Sequence, residues 1–291
     1  MNCAILPTFI RSSANNQMPF KAVLFAAILL GFCLQANAQT GKPLSLGDER
    51  LISSERVLGA QDEVASIPIS YNFDQKVGLG HQGNTQYTKI QPYLPYRINA
   101  NYSYVVQPNI TYQSFNNFDG YSSSGLTPIV VQSFFTESNQ SHRQNSFGIG
   151  PMVQIRTHMP WMFGSAQNGA GYSLGAIHRS EDWIVGMTAY QSFGLGATPT
   201  TSLSANNISF RPFVTYITKR YGNFTLDSES LINIDTGLHS YPVNLTGSKL
   251  INLGEVPLLF TLGVRYYTVN TMLGGAQGWG GRVGITYAFS N

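Results

Sequence analysis

The sequence is poor in charge and in cysteine. Charged residues make up 11% of the 291 residues, against about 25% in ordinary soluble domains. The two cysteines, Cys3 and Cys33, both lie in an N-terminal segment that we expect to be removed. The remaining chain would have no disulfide, no thiol nucleophile and no thiolate metal site. The formal net charge of only +3 gives no basic patch that would predict nucleic-acid binding.

Long apolar runs are also missing after the N-terminus. The one candidate, Ala22–Leu34, is shorter than the ~18 residues that indicate a membrane helix. Ala36 and Ala38 follow it and supply the small residues that a signal peptidase recognises. We therefore predict a secretory signal peptide over residues 1–38, cleaved after Ala38. Met18 is an alternative start, because the chain from there still forms a complete signal.

Residues 39–65 differ from the rest of the chain because they are rich in charge. Asp48 has the residue type that caps a helix, and Gly59 the type that ends one. Two interpretations stay open for this segment: a plug or docking element, or a periplasmic N-terminal leader with at most a short helix. We favour the leader.

From Ser66 onward the apolar residues recur at every second position, which is the spacing of side chains on one face of a β-strand. Near the C-terminus, Leu262 and Val264 share the apolar face, whereas Gly263 and Arg265 share the other. This pattern predicts twelve strands, at residues 66–76, 87–97, 102–113, 126–136, 146–156, 171–179, 182–193, 207–219, 224–234, 240–250, 256–268 and 278–289.

The joins between these segments alternate in length. Short turns such as Ser180–Glu181 alternate with longer loops rich in Gly, Ser and Asn, such as Ser114–Gly125 and Thr157–Ala170. Trp and Tyr cap the apolar faces at strand ends. Both features are typical of transmembrane barrels, whose even strand number leaves both termini in the periplasm. The sheet must close into a barrel, because an open sheet edge in hydrocarbon would leave backbone N–H and C=O groups without hydrogen-bond partners. We predict a single antiparallel barrel of about twelve strands over residues 66–291.

Prolines are the difficulty for this prediction, because proline cannot donate to a strand ladder. Those inside predicted strands are Pro68, Pro92, Pro95, Pro108, Pro128, Pro151, Pro212 and Pro257. Bulges or strand ends must accommodate them.

If the apolar faces meet lipid, the opposite faces line the lumen. The predicted pore-lining residues are Lys89, Gln91, Gln107, Asn109, Gln113, Gln154, Arg156, Arg211, Asp227, Glu229, Arg265 and Arg282. A charge on the lipid face would cost ~2–4 kcal/mol at mid-bilayer, so Val264→Arg is expected to impair assembly and Gly263→Arg to be tolerated. The charges either shape a selective passage or pair as internal struts of a filled lumen.

Several short motifs, in their order along the chain, resemble one bacterial family. The segment Gln91–Pro95 with Gln107-Pro108 forms a QPxxP hairpin, and Gly263–Tyr267 and Gly278–Gly284 are further matches. They resemble outer-membrane transporter-like proteins labelled neuromedin U-like, or MetA-pathway of phenol degradation. The resemblance runs from about Ile67 to Phe289 and implies an outer-membrane barrel, but it says little about the cargo. Arg211 departs from the glutamine usual in the family.

We therefore expect a channel or transporter for small solutes, hydrophobic or aromatic ones among them, in the outer membrane of a Gram-negative bacterium. Its expected partners are outer-membrane lipids, an unidentified permeant and the barrel-assembly machinery, with no nucleic acid, cofactor, metal or catalytic residue. One alternative is a largely plugged structural barrel or surface receptor acting through Ser122–Gly125 and Thr198–Asn206. A lipid hydrolase using His178 and Ser180 is a weaker alternative, because both lie at a short turn.

Overall fold

The computed structural model describes residues 64–78, 81–137, 144–157, 167–196, 204–218, 222–253, 256–272 and 275–290. The predicted signal peptide and nearly all of the charged leader lie outside these residues. The strands are β1 (Val64–Val77), β2 (Gly83–Ile90), β3 (Leu94–Arg97), β4 (Tyr102–Phe118), β5 (Tyr121–Leu126), β6 (Ile129–Glu137), β7 (Asn145–Ile155), β8 (Asn168–Arg179), β9 (Trp183–Leu195), β10 (Asn207–Ile217), β11 (Gly222–Ser228), β12 (Ser230–Asn233), β13 (His239–Leu253), β14 (Val256–Asn270) and β15 (Gly278–Ser290).

These strands close into one antiparallel barrel. Three pairs of short strands, β2 with β3, β5 with β6 and β11 with β12, each form one interrupted wall strand, so the wall has twelve strands. The last strand pairs with the first, from Val64 opposite Ser290 to Asp74 opposite Gly280. The predicted closed barrel of twelve strands is confirmed. β1 begins two residues before the predicted start.

None of the described residues belongs to a helix long and apolar enough to cross a membrane.

The wall is interrupted or shifted in register at three of the prolines. Pro92 lies between β2 and β3, and Pro128 lies between β5 and β6. Pro242 adjoins a register shift between β13 and β14. A proline nitrogen carries no hydrogen, so it cannot donate to the neighbouring strand. The breaks lie where that hydrogen bond would be missing. Of the eight prolines named from the sequence, Pro92 and Pro128 lie between strands, whereas Pro68, Pro108, Pro151 and Pro212 lie inside β1, β4, β7 and β10. The predicted accommodation at strand ends or bulges therefore holds for only part of the set.

The predicted loop Ser114–Gly125 is wrong, because the chain there continues as strand. β4 runs to Phe118, β5 starts at Tyr121, and only Asp119 and Gly120 form the turn. Both turn residues have positive φ, 49° and 86°, as a two-residue hairpin turn with the Asp-Gly sequence requires. The Ser and Asn content of this segment predicts a loop, whereas its Asp119-Gly120 pair is the sequence signal of a tight hairpin.

The outer face of the barrel is apolar, as predicted. Leu262 and Val264 are 53% and 48% exposed, whereas Thr261 and Arg265 beside them are buried. Aromatic pairs lie at both ends of the wall: Trp183 packs on Tyr216 beside the Ser180–Asp182 turn, and Tyr266 packs on Trp279 at the opposite end. An aliphatic band between aromatic girdles matches the layers of a bilayer.

The buried charges gather on one side of the interior, and an apolar cluster lies on the other side among buried Ser, Thr and Gln side chains. On the side of β3 to β10, buried apolar side chains meet inside the wall. They form an inner apolar cluster of Tyr93, Val105, Phe134, Ile177, Ile184 and Phe213. On the side of β1, β2 and β11 to β15, the buried side chains are mainly Ser, Thr, Asn and charged residues. The sequence analysis does not predict the inner apolar cluster.

Candidate functional site

One register row across five wall strands carries a chain of hydrogen bonds inside the barrel. The row places Asp227, Asn244, Arg265, Gly280 and Asp74 side by side. Asn244 donates to Asp227 Oδ2 at 3.0 Å, and Arg265 Nε donates to Asn244 Oδ1 at 2.5 Å. Arg265 Nη1 also lies 3.4 Å from Asp74 Oδ2. Because Gly280 has no side chain, Arg265 reaches across β15 to β1 and ties the seam where the barrel closes.

Glu229 is the point at which the interior charges converge. One carboxylate oxygen lies 3.0 Å from Lys89 Nζ and 3.5 Å from Arg282 Nη2, and the other lies 3.3 Å from Arg265 Nη2. Glu229 lies between β11 and β12, and Lys89 lies on β2. Along the wall, β13, β14, β15 and β1 separate them, so this ion pair crosses the lumen.

We call Asp74, Lys89, Asp227, Glu229, Arg265 and Arg282 the inner charge cluster. Its three cations and three carboxylates have no formal net charge. Neutral groups support it: Arg282 Nε donates to Asn72 Oδ1 at 2.7 Å, and the Tyr267 hydroxyl donates to Asp74 Oδ2 at 2.8 Å. The Tyr87 ring lies 5.6 Å from the Arg265 guanidinium carbon. Such partners matter because an uncompensated buried charge costs several kcal/mol.

A cavity of about 60 Å³ adjoins the inner charge cluster. At ~10–15 Å³ for each water position, it has room for a few waters or a solute of similar size. Lys89, Glu229 and Arg282 line it. The uncharged polar lining residues are Ser70, Gln91, Gln107, Thr215, Asn223, Thr225, Thr246, Ser248, Thr261 and Thr286. The cavity therefore offers hydroxyl and amide groups beside two cations and one carboxylate.

The structure brings a large part of the predicted pore-lining set together. Lys89, Asp227, Glu229, Arg265 and Arg282 all belong to the inner charge cluster. Gln91 and Gln107 line the adjoining cavity. Their role in solute passage stays a prediction.

The other predicted residues lie apart from the cluster. Asn109 and Gln113 are half-buried on the inward side of β4, and Gln154 is buried on β7. Arg211 is half-buried, and its Nε has no hydrogen-bond partner among the described residues. Arg156 is exposed and lies one residue beyond β7.

Asn72, Asp74, Asn244 and Tyr267 belong to the site but were not predicted. The sequence does carry a signal for two of them. Asn72 and Asp74 alternate with Tyr71 on predicted strand 66–76, which places them on the polar face. Their partners could not be inferred, because the pairing of distant strands was unknown.

The alternative catalytic residues are not assembled. His178 Nδ1 lies 2.8 Å from Asn145 Oδ1, and the Ser180 hydroxyl donates to the Trp183 carbonyl. Among the described residues, no group of three or more His, Cys, Asp or Glu side chains could hold a metal ion.

We expect Gly280→Ala to disturb the seam. An added Cβ would collide with Asp74 Oδ1 and lie 2.7 Å from the Phe73 carbonyl oxygen, so Asp74 must move away from Arg265. Overpacking of this kind costs about 1–3 kcal/mol, measurable by urea unfolding in lipid vesicles. Gly281→Ala is the matched control, because an added Cβ there meets nothing within 4 Å. Equal stability of the two variants would contradict the proposed crowding.

Comparison with known proteins supports the same architecture. No protein-family model matches the sequence, and no curated protein does. Among solved structures, an outer membrane channel from Pseudomonas putida F1 aligns with a TM-score of 0.59 at 8% identity, covering 81% of this chain and 97% of that one. The KdgM porin aligns at 0.46 with 10% identity over 76% and 98%, and the CymD monoaromatic hydrocarbon channel at 0.41 with 8% identity over 86% and 94%.

These similarities define a fold class and not a permeant. At 8% identity the first alignment establishes a β-barrel fold shared with an outer membrane channel. The other two alignments have TM-scores below 0.5, which is too low to establish a shared fold. The chain is therefore a β-barrel of the kind found in outer-membrane channels.

Proposed function

We propose that this chain is a channel for small solutes in the outer membrane of a Gram-negative bacterium. The observation that carries the proposal is the inner charge cluster. A closed wall surrounds it, and Glu229 and Lys89 approach to 3.0 Å across the lumen. Charges held at a narrow point of a pore select permeants by sign and size.

The outer-membrane location rests on separate features of the chain. The barrel exposes aliphatic side chains between aromatic pairs at both ends, which suits a bilayer. The predicted signal peptide over residues 1–38 would provide export, and the barrel-assembly machinery would provide insertion. The resemblance to the transporter-like family labelled neuromedin U-like, or MetA-pathway of phenol degradation, agrees with this location.

Purified protein is expected to conduct ions in planar lipid bilayers, in small and uniform single-channel steps because the inner charge cluster narrows the lumen. Reconstitution of the heat-modifiable protein, recorded at several voltages and salt concentrations, measures this. Heat-denatured protein is the control for detergent leaks. A folded barrel that stays electrically silent under all these conditions would exclude the open channel.

A plugged barrel is the second candidate, favoured by the inner apolar cluster. Phe134 is fully buried and Val105 nearly so, and they share one buried cluster with Ile177 on β8 and Phe213 on β10. If these side chains close the lumen, conductance should be absent in the native protein and appear in Phe134→Ala. Conductance in the native protein would exclude the plug.

A further inference from the structure

Glu229 differs from the rest of the inner charge cluster in its exposure. Its side chain is 15% exposed, against 4% for Arg265 and 1% for Asp74. Among the described residues it is also the one carboxylate that lines the cavity, beside Lys89 and Arg282. Glu229 therefore presents a carboxylate, bound by cations, at the surface of an internal polar space.

The cavity lining has the composition of an anion site. Among the described lining residues, Lys89 and Arg282 are the two cations, and both contact the carboxylate of Glu229. Ser and Thr hydroxyls and the Gln91, Gln107 and Asn223 amides provide neutral donors. Charge-assisted hydrogen bonds from Arg and Lys to carboxylates are about twice as strong as neutral ones, so this lining favours a carboxylate over an uncharged solute of the same size.

We propose that the cavity binds the carboxylate of a small, hydroxyl-bearing organic acid, and that Glu229 is the internal carboxylate with which it exchanges. The proposal rests on the proposed channel function and narrows its permeant class. In the exchange, the acid takes the contacts of Glu229 with Lys89 and Arg282, and its hydroxyls meet Thr225 and neighbouring hydroxyls. The number of carboxylates facing Lys89 and Arg282 is unchanged by the exchange, and Glu229 keeps its contact with Arg265 Nη2.

This permeant class differs from the hydrophobic or aromatic solutes that the sequence suggested. A hydrocarbon in this cavity would cover Lys89, Arg282 and several hydroxyls without replacing their hydrogen bonds. Buried polar groups that lose their hydrogen-bond partners in this way disfavour binding of the hydrocarbon. The apolar side chains among the described lining residues are Pro68, Ile69, Phe213 and Ile285, and they are outnumbered by the polar and charged ones.

Calorimetric titration of the detergent-solubilised protein with sodium glycerate tests the proposal, with glycerol as the uncharged probe. We expect the native protein to bind glycerate and not glycerol. Glu229→Gln removes the competing carboxylate and should tighten glycerate binding by about tenfold or more, equivalent to ~1.4 kcal/mol. Lys89→Gln should weaken it by a similar factor, and Thr225→Val should weaken it less. Leu226→Val, on the outer face of the same strand, is the control.

The results separate this proposal from the channel function. Unchanged or weaker glycerate binding in a folded Glu229→Gln barrel would overturn the exchange, as would equal binding of glycerol and glycerate. If Glu229→Gln fails to give a heat-modifiable band, Lys89→Gln and Thr225→Val decide, and native affinity in both would overturn the site. A conducting barrel without glycerate binding refutes the site alone, whereas glycerate binding in a silent barrel refutes the channel alone.

Discussion

Arg265→Met is expected to lower the free energy of unfolding by about 3–5 kcal/mol, which is the usual cost of removing one partner from a buried ion pair. Arg265 is 4% exposed and contacts Asp74, Glu229 and Asn244. Its removal leaves the Asp74 and Glu229 carboxylates short of a cation. It also removes the contact of Arg265 with Asp74, so that only the Tyr267 hydroxyl among the described contacts still links the β14 side chains to Asp74 on β1. Unfolding by urea in lipid vesicles, followed by tryptophan fluorescence and by the heat-modifiable band, measures the loss.

Two further variants show whether the loss arises from the ion pairs. Combining Asp74→Asn with Arg265→Met should recover part of the stability, because the double variant no longer has the Asp74 carboxylate that Arg265 neutralises. The effects of substitutions at two residues in contact are not additive. Lys249→Met removes a cation from the exposed side of neighbouring β13 and should have little effect. Equal losses in Lys249→Met and Arg265→Met would rule out a special role for the inner charge cluster.

The faces of the late strands could be predicted from sequence because alternation there is regular. On β14, Leu262 and Val264 are exposed and Arg265 is buried, as period-two spacing requires. On β15, Val283 is exposed and Arg282 is buried. One face must be apolar and the other polar along a wall between lipid and lumen, so the assignment needs no knowledge of the neighbouring strands.

The convergence of charges on Glu229 could not be predicted in the same way. Which inward residues meet depends on how far each strand is staggered against the next, and on the diameter that the stagger sets. Glu229 and Lys89 are separated by 140 positions in sequence and meet across the lumen. Alternation identifies both as inward-facing but carries no information on their relative height.

The inner apolar cluster was missed for a different reason. Phe134 is followed by Phe135 and preceded within four residues by Val130 and Val131, so this segment has no clear alternation from which to assign faces. A uniformly polar inward face also does not predict Phe134, Ile177 and Phe213 as buried apolar residues inside the barrel. Where the apolar cluster lies relative to the charges depends on the order and stagger of the strands around the barrel, which alternation alone does not predict.

Gly263→Arg, which the sequence suggests as the inward-facing control for Val264→Arg, must also be replaced. Gly263 lies on the inward side of β14, so Gly263→Arg was expected to be tolerated. A Cβ at this position would lie 2.5 Å from Thr246 Cγ2 and 2.9 Å from the Leu245 carbonyl oxygen. Substitution there is therefore expected to disturb β13 through crowding, whatever the charge. Gln107 is a better inward site, because its side chain is already long, is half-buried and lines the polar cavity.

Val264→Arg is expected to impair assembly of the barrel, whereas Gln107→Arg is expected to assemble at close to the native level. Val264 lies near the middle of β14 and is 48% exposed on the apolar outer face. An arginine at the bilayer midplane costs about 2–4 kcal/mol, while one beside the cavity remains among polar groups. The yield of heat-modifiable protein in the membrane fraction measures assembly, and Val264→Leu controls for the change in shape. Equal assembly of Val264→Arg and Gln107→Arg would mean that the outer face of β14 does not meet hydrocarbon, and the membrane location itself would then have to be abandoned.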